Sequence, residues 1–465
     1  MPGDNAWQLV AATLVGLMSL PGIAVLYGGI VQKKWVVNTM LMAFTGFSLV
    51  LVAWVCWLFK MGFGNPWHLG PGFLSQFVGV PGTLLGHATQ DQATVPAITT
   101  GPPFHFPEST LAYFQFVFAA ITPLLFLGSV IGRINFKVWL LFVPLWSTLA
   151  YSVNAFLLWG GGYWAAKGAL DYSGGYVIHL AAGTSGFVAA WVIGPRLARD
   201  RARAVPNNLP MAAVGAGILW LGWNGFNGGD PYYAGADAST AVLNTNLATA
   251  VALLTWVLMD MFFSKQKKPT FLGAINGMIV GLVAITPAAG FVNGFGAILT
   301  GLIPSVIVWI AWNYLSKVWI FKKVDDALGV VYTHGIAGLI GGLMVGFLAD
   351  PGMIEYPAAP GPNGSAISAT GLIDGNPKQV LIQLGAAATV IVWDALITFL
   401  ILKFLSLFMK LRMPEPALEA GDTWAHDEEA YPDESLVSQP HPVAVGASAD
   451  GEVPAGTPTT PAGAS

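Results

Sequence analysis

Runs of mostly apolar residues, separated by shorter polar connections, recur from one end of this 465-residue chain to the other. A helical run of about eighteen residues or more covers a hydrocarbon core roughly 30 Å thick, rising about 1.5 Å per residue and satisfying its own backbone. The pattern predicts eleven such helices, over roughly 6–31, 36–59, 109–131, 137–158, 175–194, 209–229, 240–263, 270–288, 294–315, 328–349 and 379–408. The Gly- and Pro-rich stretch from Gly62 to Glu108 reads as an irregular outer connection, in which His68, His87 and His105 lie too far apart for a metal site.

Composition strengthens the picture, because 55% hydrophobic against 9% charged residues is not a soluble balance. Charge adds orientation. With the N-terminus outside, seventeen of the twenty Lys and Arg fall on inner connections, the last helix or the tail, leaving only Lys60, Lys167 and Lys378 outside. The chain is therefore expected to run N-terminus out and C-terminus in, as a multi-pass protein of the plasma membrane, the inner membrane in a bacterium. The first run lacks a basic flank and a small-residue cleavage site, so it is expected to be retained rather than removed as a leader. Cys56 is the single cysteine, which excludes an internal disulfide and a cysteine-built metal site. The chain shows no phosphate loop, nucleophile triad or metal cluster. Neither an enzyme, nor a cofactor, nor a nucleic-acid partner is expected.

Three segments follow from these patterns. Residues 1–411 form the transmembrane domain, with membrane lipids as its surroundings. Residues 412–432, with Trp424, His426 and Tyr431, are expected to form a tail docked on the cytoplasmic face. Residues 433–465 are low in complexity and are expected to be disordered.

The membrane region repeats itself. Gly22-Ile-Ala-Val-Leu-Tyr-Gly28-Gly29 in the first helix echoes Gly222-Trp-Asn-Gly-Phe-Asn-Gly228-Gly229 in the sixth. Ala120-Ile-Thr-Pro123 in the third is identical to Ala284-Ile-Thr-Pro287 in the eighth. His179-Leu-Ala-Ala-Gly in the fifth matches His334-Gly-Ile-Ala-Gly in the tenth. Every match pairs helix n with helix n+5, and since five is odd the two copies enter the membrane from opposite sides. The expectation is an inverted five-plus-five repeat with an added eleventh helix that braces the bundle.

An ionisable side chain inside a membrane helix is costly and faces the bundle interior or a cavity. His179 and His334, at equivalent positions of the two copies, are thus candidate pore residues. Imidazole is close to neutral at physiological pH. Two neutral rings can hydrogen-bond to each other and leave one nitrogen each for a small polar solute. Such a pair suits ammonia or water better than a bare cation.

These motifs, with Trp159-Gly-Gly-Gly162, Asp171-Tyr-Ser-Gly-Gly-Tyr-Val-Ile-His179 and Asn208-Leu-Pro-Met211, resemble the ammonium transporter (Amt/Mep/Rh) family from about Asn5 to Tyr431. Trp159 and eleven rather than twelve helices favour its microbial and plant branch. The resemblance implies a mechanism. Trp159 would attract ammonium through its ring face, where a desolvated cation gains about 2 kcal/mol. Phe118 and Phe226 match the stacked aromatic gate, with Phe114 one turn before Phe118 and Trp223 in support. Below them His179 and His334 match the twin histidines of a narrow channel. Ammonium would lose its proton near the top and neutral ammonia would pass, the proton either returning outside or travelling separately. Asp171 resembles the family's structural acid, read first as a helix-start cap and second as an electrostatic aid. Where most members place a Ser beside the Trp, this chain has Asp230, whose carboxylate would bind a cation through a charge-assisted hydrogen bond, or begin the outer loop and face water. Asp394, inside the eleventh helix, has no role in the pattern.

The family also implies a homotrimer with one pore per subunit, and residues 412–431 resemble its coupling tail, a candidate partner of the PII signal-transduction protein. Two other readings stand beside transport of ammonium and ammonia. One is an ammonium receptor signalling through the tail. The other is a pore for another small neutral solute, such as water or carbon dioxide.

Overall fold

The structure is a computed structural model that describes residues 2–68, 72–98, 103–202, 205–356 and 367–432. The chain is a multi-pass membrane protein, and all eleven predicted helices are present: α1 (Pro2–Ile30), α2 (Lys33–Phe63), α3 (Glu108–Val130), α4 (Phe136–Ala166), α5 (Gly175–Ile193), α6 (Leu209–Gly228), α7 (Ala236–Phe263), α8 (Phe271–Ile285), α9 (Gly294–Lys317), α10 (Val331–Leu348) and α11 (Pro377–Ser406). Among the described residues the only strands are a short antiparallel pair, β1 (Ile354–Tyr356) with β2 (Ile367–Ser368). The stretch predicted to be disordered, 433–465, lies outside the described residues.

Ten of these helices are long and apolar enough to span a membrane; α8 is shorter. It ends at Ile285, where Thr286 and Pro287 turn the chain. The same four residues in α3 leave the helix unbroken across Pro123. Both threonines return a hydrogen bond of 2.8 Å to the carbonyl four residues back, Thr122 to Phe118 and Thr286 to Leu282.

Helix starts are capped by the residue types expected there, so the orphan N–H groups have acceptors. Asn135, Asn208, Thr270 and Asn293 each accept a backbone N–H from the first turn of α4, α6, α8 and α9. Asp171 accepts from Tyr176 and Val177, both at 3.0 Å, at the start of α5. Asp326 accepts from Val330 and Val331, at 3.2 and 2.8 Å, at the start of α10.

α5 and α10 each open with a π-turn, Gly175–Leu180 and Val331–Ile336, and these turns carry the two histidines. The helices cross at Gly183 and Gly335, where a Cβ on Gly183 would overlap the Gly335 Cα. That close approach brings the histidine-bearing turns together. α11 packs against α4, α5 and α10.

Beyond α11 the chain returns to the bundle. Arg412 bridges Ile134, and Met413 N donates to Arg133 O at 2.9 Å. Two short helices follow, α12 (Glu415–Ala420) and α13 (Asp422–His426). Asp422 accepts the N–H groups of Val37 and Asn38 at 2.8 and 2.9 Å, capping α2, and His426 Nε2 lies 2.9 Å from Asn38 Oδ1. The Lys34 ammonium donates to Leu418 O at 2.7 Å.

Candidate functional site

The inward faces of α3, α5, α6 and α10 place aromatic rings in one continuous line. Phe114 and Phe118, one helical turn apart, have ring centroids 4.8 Å apart. Phe118 meets Phe226 at 4.3 Å with planes 30° apart, and meets the edge of Trp159 at 6.1 Å and 88°. Phe226 continues to Trp223 at 4.9 Å and to His179 at 6.0 Å. Trp223 stacks on His179 at 5.3 Å and 16°. The Nδ1 atoms of His179 and His334 are 3.2 Å apart, with both rings buried.

Polar groups orient these rings. Trp159 Nε1 donates to the Asp171 carbonyl at 2.7 Å, so the residue that caps α5 with its carboxylate holds the indole with its backbone. Trp223 Nε1 donates to Thr286 Oγ1 at 2.9 Å, and this uses the turn at which α8 ends. Asp230, 5% exposed, follows Gly229, whose Cα lies so near the Phe114 ring that a Cβ there would collide with it. Asp230 thus follows a residue packed on the Phe114 ring and is buried rather than facing water. All nine residues singled out from sequence lie along this line or at its upper end: Trp159, Phe114, Phe118, Phe226, Trp223, His179, His334, Asp171 and Asp230.

Chemically, one imidazole Nδ1 donates and the other accepts. One ring is left with a lone pair on Nε2 and the other with an Nε2–H, so the pair offers one acceptor and one donor. Among the described residues neither ring has a carboxylate at ion-pair distance, and His179 Nε2 is buried without a partner. The Tyr151 hydroxyl and one Asp171 oxygen are buried in the same condition.

Other residues fall elsewhere. His105 pairs with Asp4 at 3.1 Å, on the rim rather than in the line of rings. Asp394 is fully buried on α11, with both oxygens facing the Asn154 amide of α4 at 3.1 and 2.8 Å. Sequence reasoning missed Asp326, although a signal was present: it precedes His334 by eight residues, as Asp171 precedes His179. It also missed Tyr232, whose ring lies 5.9 Å from Phe114 and which no repeat or motif marks.

Comparison with known proteins is consistent along nearly the whole chain. The family model described as Ammonium Transporter Family matches residues 6–431. Ammonium transporter 2 member 1 of Oryza sativa subsp. japonica is 47% identical over 435 residues, covering 92% of this chain and 87% of the relative. Ammonium transporter 2 of Arabidopsis thaliana is 46% identical over 435 residues, covering 92% and 88%. The crystal structure of Saccharomyces cerevisiae Mep2 superposes with a TM-score of 0.76 at 28% identity, covering 90% of this chain and 88% of that one.

Proposed function

The chain belongs to the ammonium transporter family, a family of transport proteins rather than enzymes, and on that premise we propose how its own residues move ammonium. Ammonium is recruited at the upper end of the aromatic line by the Trp159 face and the Asp230 carboxylate. Water is stripped there, so the cation-π contact and the charge-assisted hydrogen bond both strengthen. Passing the Phe118 and Phe226 rings as an ion has a steep cost, since a bare charge at mid-membrane costs about 2.5 to 17 kcal/mol. The ion therefore gives up its proton at the gate, to water on the entry side, and ammonia enters as a neutral solute. His179 and His334 then guide it, one Nε2 accepting an N–H and the other donating to the nitrogen lone pair. Asp171 keeps Trp159 and the first turn of α5 in register.

The observation that carries this reading is the buried His179–His334 pair with Nδ1 atoms 3.2 Å apart, directly below a closed stack of rings. A neutral donor–acceptor pair matches ammonia, which has one lone pair and three N–H groups.

The same reading places Trp159 and the N-terminus outside the cell and residues 412–432 inside, in the plasma membrane, with a homotrimer as the assembled form. The tail is then positioned to meet a cytosolic partner of the PII type. Growth on low ammonium of cells lacking their own ammonium transporters tests the core of the proposal. The wild-type chain should restore growth, and His179→Ala combined with His334→Ala should not. Growth of the double variant at the wild-type rate overturns it. Flux into liposomes separates transport from reception, since a receptor binds ammonium without moving it.

A further inference from the structure

The connection after α6 is built unlike an ordinary loop. The segment Gly228–Ala234 is held at four points by side chains of α1 and α3. Trp7 Nε1 donates to Gly228 O at 2.8 Å, and Gln8 Nε2 donates to Gly229 O. Gln115 Nε2 donates to the Tyr232 hydroxyl at 2.7 Å, and Ala234 N donates to Asp4 Oδ1 at 2.9 Å. Asp230 lies between the second and third of these points. Tyr232 adopts φ +62°, a left-handed conformation uncommon for a bulky residue and kept only where its surroundings over-determine it.

Those surroundings are aromatic. The Tyr232 ring meets Phe104 at 5.0 Å and Phe114 at 5.9 Å, both edge-on, which places it over the upper end of the line of rings. Gln115 is fully buried on α3, next to Phe114. A buried amide has its donor spent on Tyr232 only if that hydroxyl is where the arch puts it, so ring position and amide orientation fix each other.

We propose that Tyr232 and Gln115 are positioning residues of the ammonium entry site: the Gln115 amide latches the Tyr232 hydroxyl, and the arch so held presents Asp230 to the incoming cation beside Phe114. The inference rests on the reading of Asp230 as a cation ligand. A site assembled before the ion arrives does not spend binding energy on ordering a loop, and this is why a latch several residues from the carboxylate changes affinity.

The test is a double-mutant cycle in proteoliposomes holding the purified full-length protein, with KM and maximal rate measured for ammonium uptake. Asp230→Ser should raise KM by on the order of tenfold, the effect of losing a hydrogen bond to a charged group. Tyr232→Phe, which keeps the ring and removes only the hydroxyl, should raise KM several-fold with the maximal rate little changed. Gln115→Leu should match it. Once Asp230 is serine, Tyr232→Phe should add nothing further to KM. If Asp230→Ser raises KM while Tyr232→Phe leaves it unchanged, or the two effects multiply in the double variant, the latch is refuted and the Asp230 reading survives. If Asp230→Ser leaves KM unchanged, the Asp230 reading itself fails. A variant in which the hydroxyl matters only for folding would lower the melting temperature and the maximal rate without the coupled change in KM.

Discussion

The Asn154 amide nitrogen lies 2.8 Å from one carboxylate oxygen of Asp394 and 3.1 Å from the other, joining α4 to α11 where both residues are fully buried. Among the described residues no cation pairs with Asp394, so this amide is its hydrogen-bond partner. Asp394→Asn preserves an acceptor of the same shape and is expected to keep stability and transport near wild type. Asp394→Ala strands a buried amide and should cost about 1–3 kcal/mol. Thermal melting of the purified variants in detergent checks both. Equal damage from Asn and Ala would mean that the charge, and not the shape, is what α4 requires.

Removing one histidine does two things. His334→Ala withdraws the partner of His179 Nδ1, leaving a buried nitrogen unsatisfied at a cost of about 1–3 kcal/mol. It also removes half of the donor–acceptor pair, so uptake should fall more than the loss of stability explains. Uptake per folded molecule, from transport and protein levels together, separates the two effects.

Asp171 and Asp326 cap α5 and α10 in the same manner, and each alanine variant should lose about 1–2 kcal/mol of stability. Their effects on uptake should differ. Asp171 also holds Trp159 through its backbone, so disturbing its turn should raise KM for ammonium. Asp326→Ala, at the other end of the pair, should leave KM close to wild type. An equal rise in KM for both would break the distinction.

The docked tail contains two groups with opposing pH responses. Burial pushes the Asp422 carboxyl up to about 6, against the N–H groups that pull it down, so its contribution to docking is fullest below its ordinary value and is lost as pH rises through about 6. Burial holds the His426 imidazole below its ordinary value, so its contribution is present above the usual histidine range and is lost on acidification. The two act in opposite directions as the pH falls through this range. Single variants should expose each: with Asp422→Asn, docking weakens on acidification, and with His426→Gln it strengthens. Protease protection of residues 412–430 at a series of pH values reads the result, and parallel profiles for the two variants would refute it.

How much of this was legible beforehand depends on what carried each signal. Helix number followed from hydropathy, because a membrane interior permits few alternatives to a long apolar helix, whereas limits shifted by several residues, α4 reaching Ala166 instead of 158. α8 was predicted to run to 288 and stops at Ile285, since the sequence Ala-Ile-Thr-Pro reads the same in α3, where the chain continues. What distinguishes the two is packing: Thr286 is at once a turn and the acceptor for Trp223. The rings from Phe114 to His334 were named from motifs, but their order in space came from the crossing of α5 and α10. Asp326 could have been found by measuring eight residues back from each histidine. Tyr232 could not, because a left-handed backbone and a latch to Gln115 leave no periodic trace. Asp394 was visible as an anomaly, while its partner lay 240 residues away.

The carboxylate that completes the first turn of α2 belongs to a residue 385 positions later in the chain. During synthesis α2 leaves the ribosome among the earliest helices, and its cap arrives almost last. Until Asp422 emerges, the N–H groups of Val37 and Asn38 must be served by water or lipid headgroups. A nascent chain truncated before Asp422 should therefore differ from the full-length one at a helix that has long since been made.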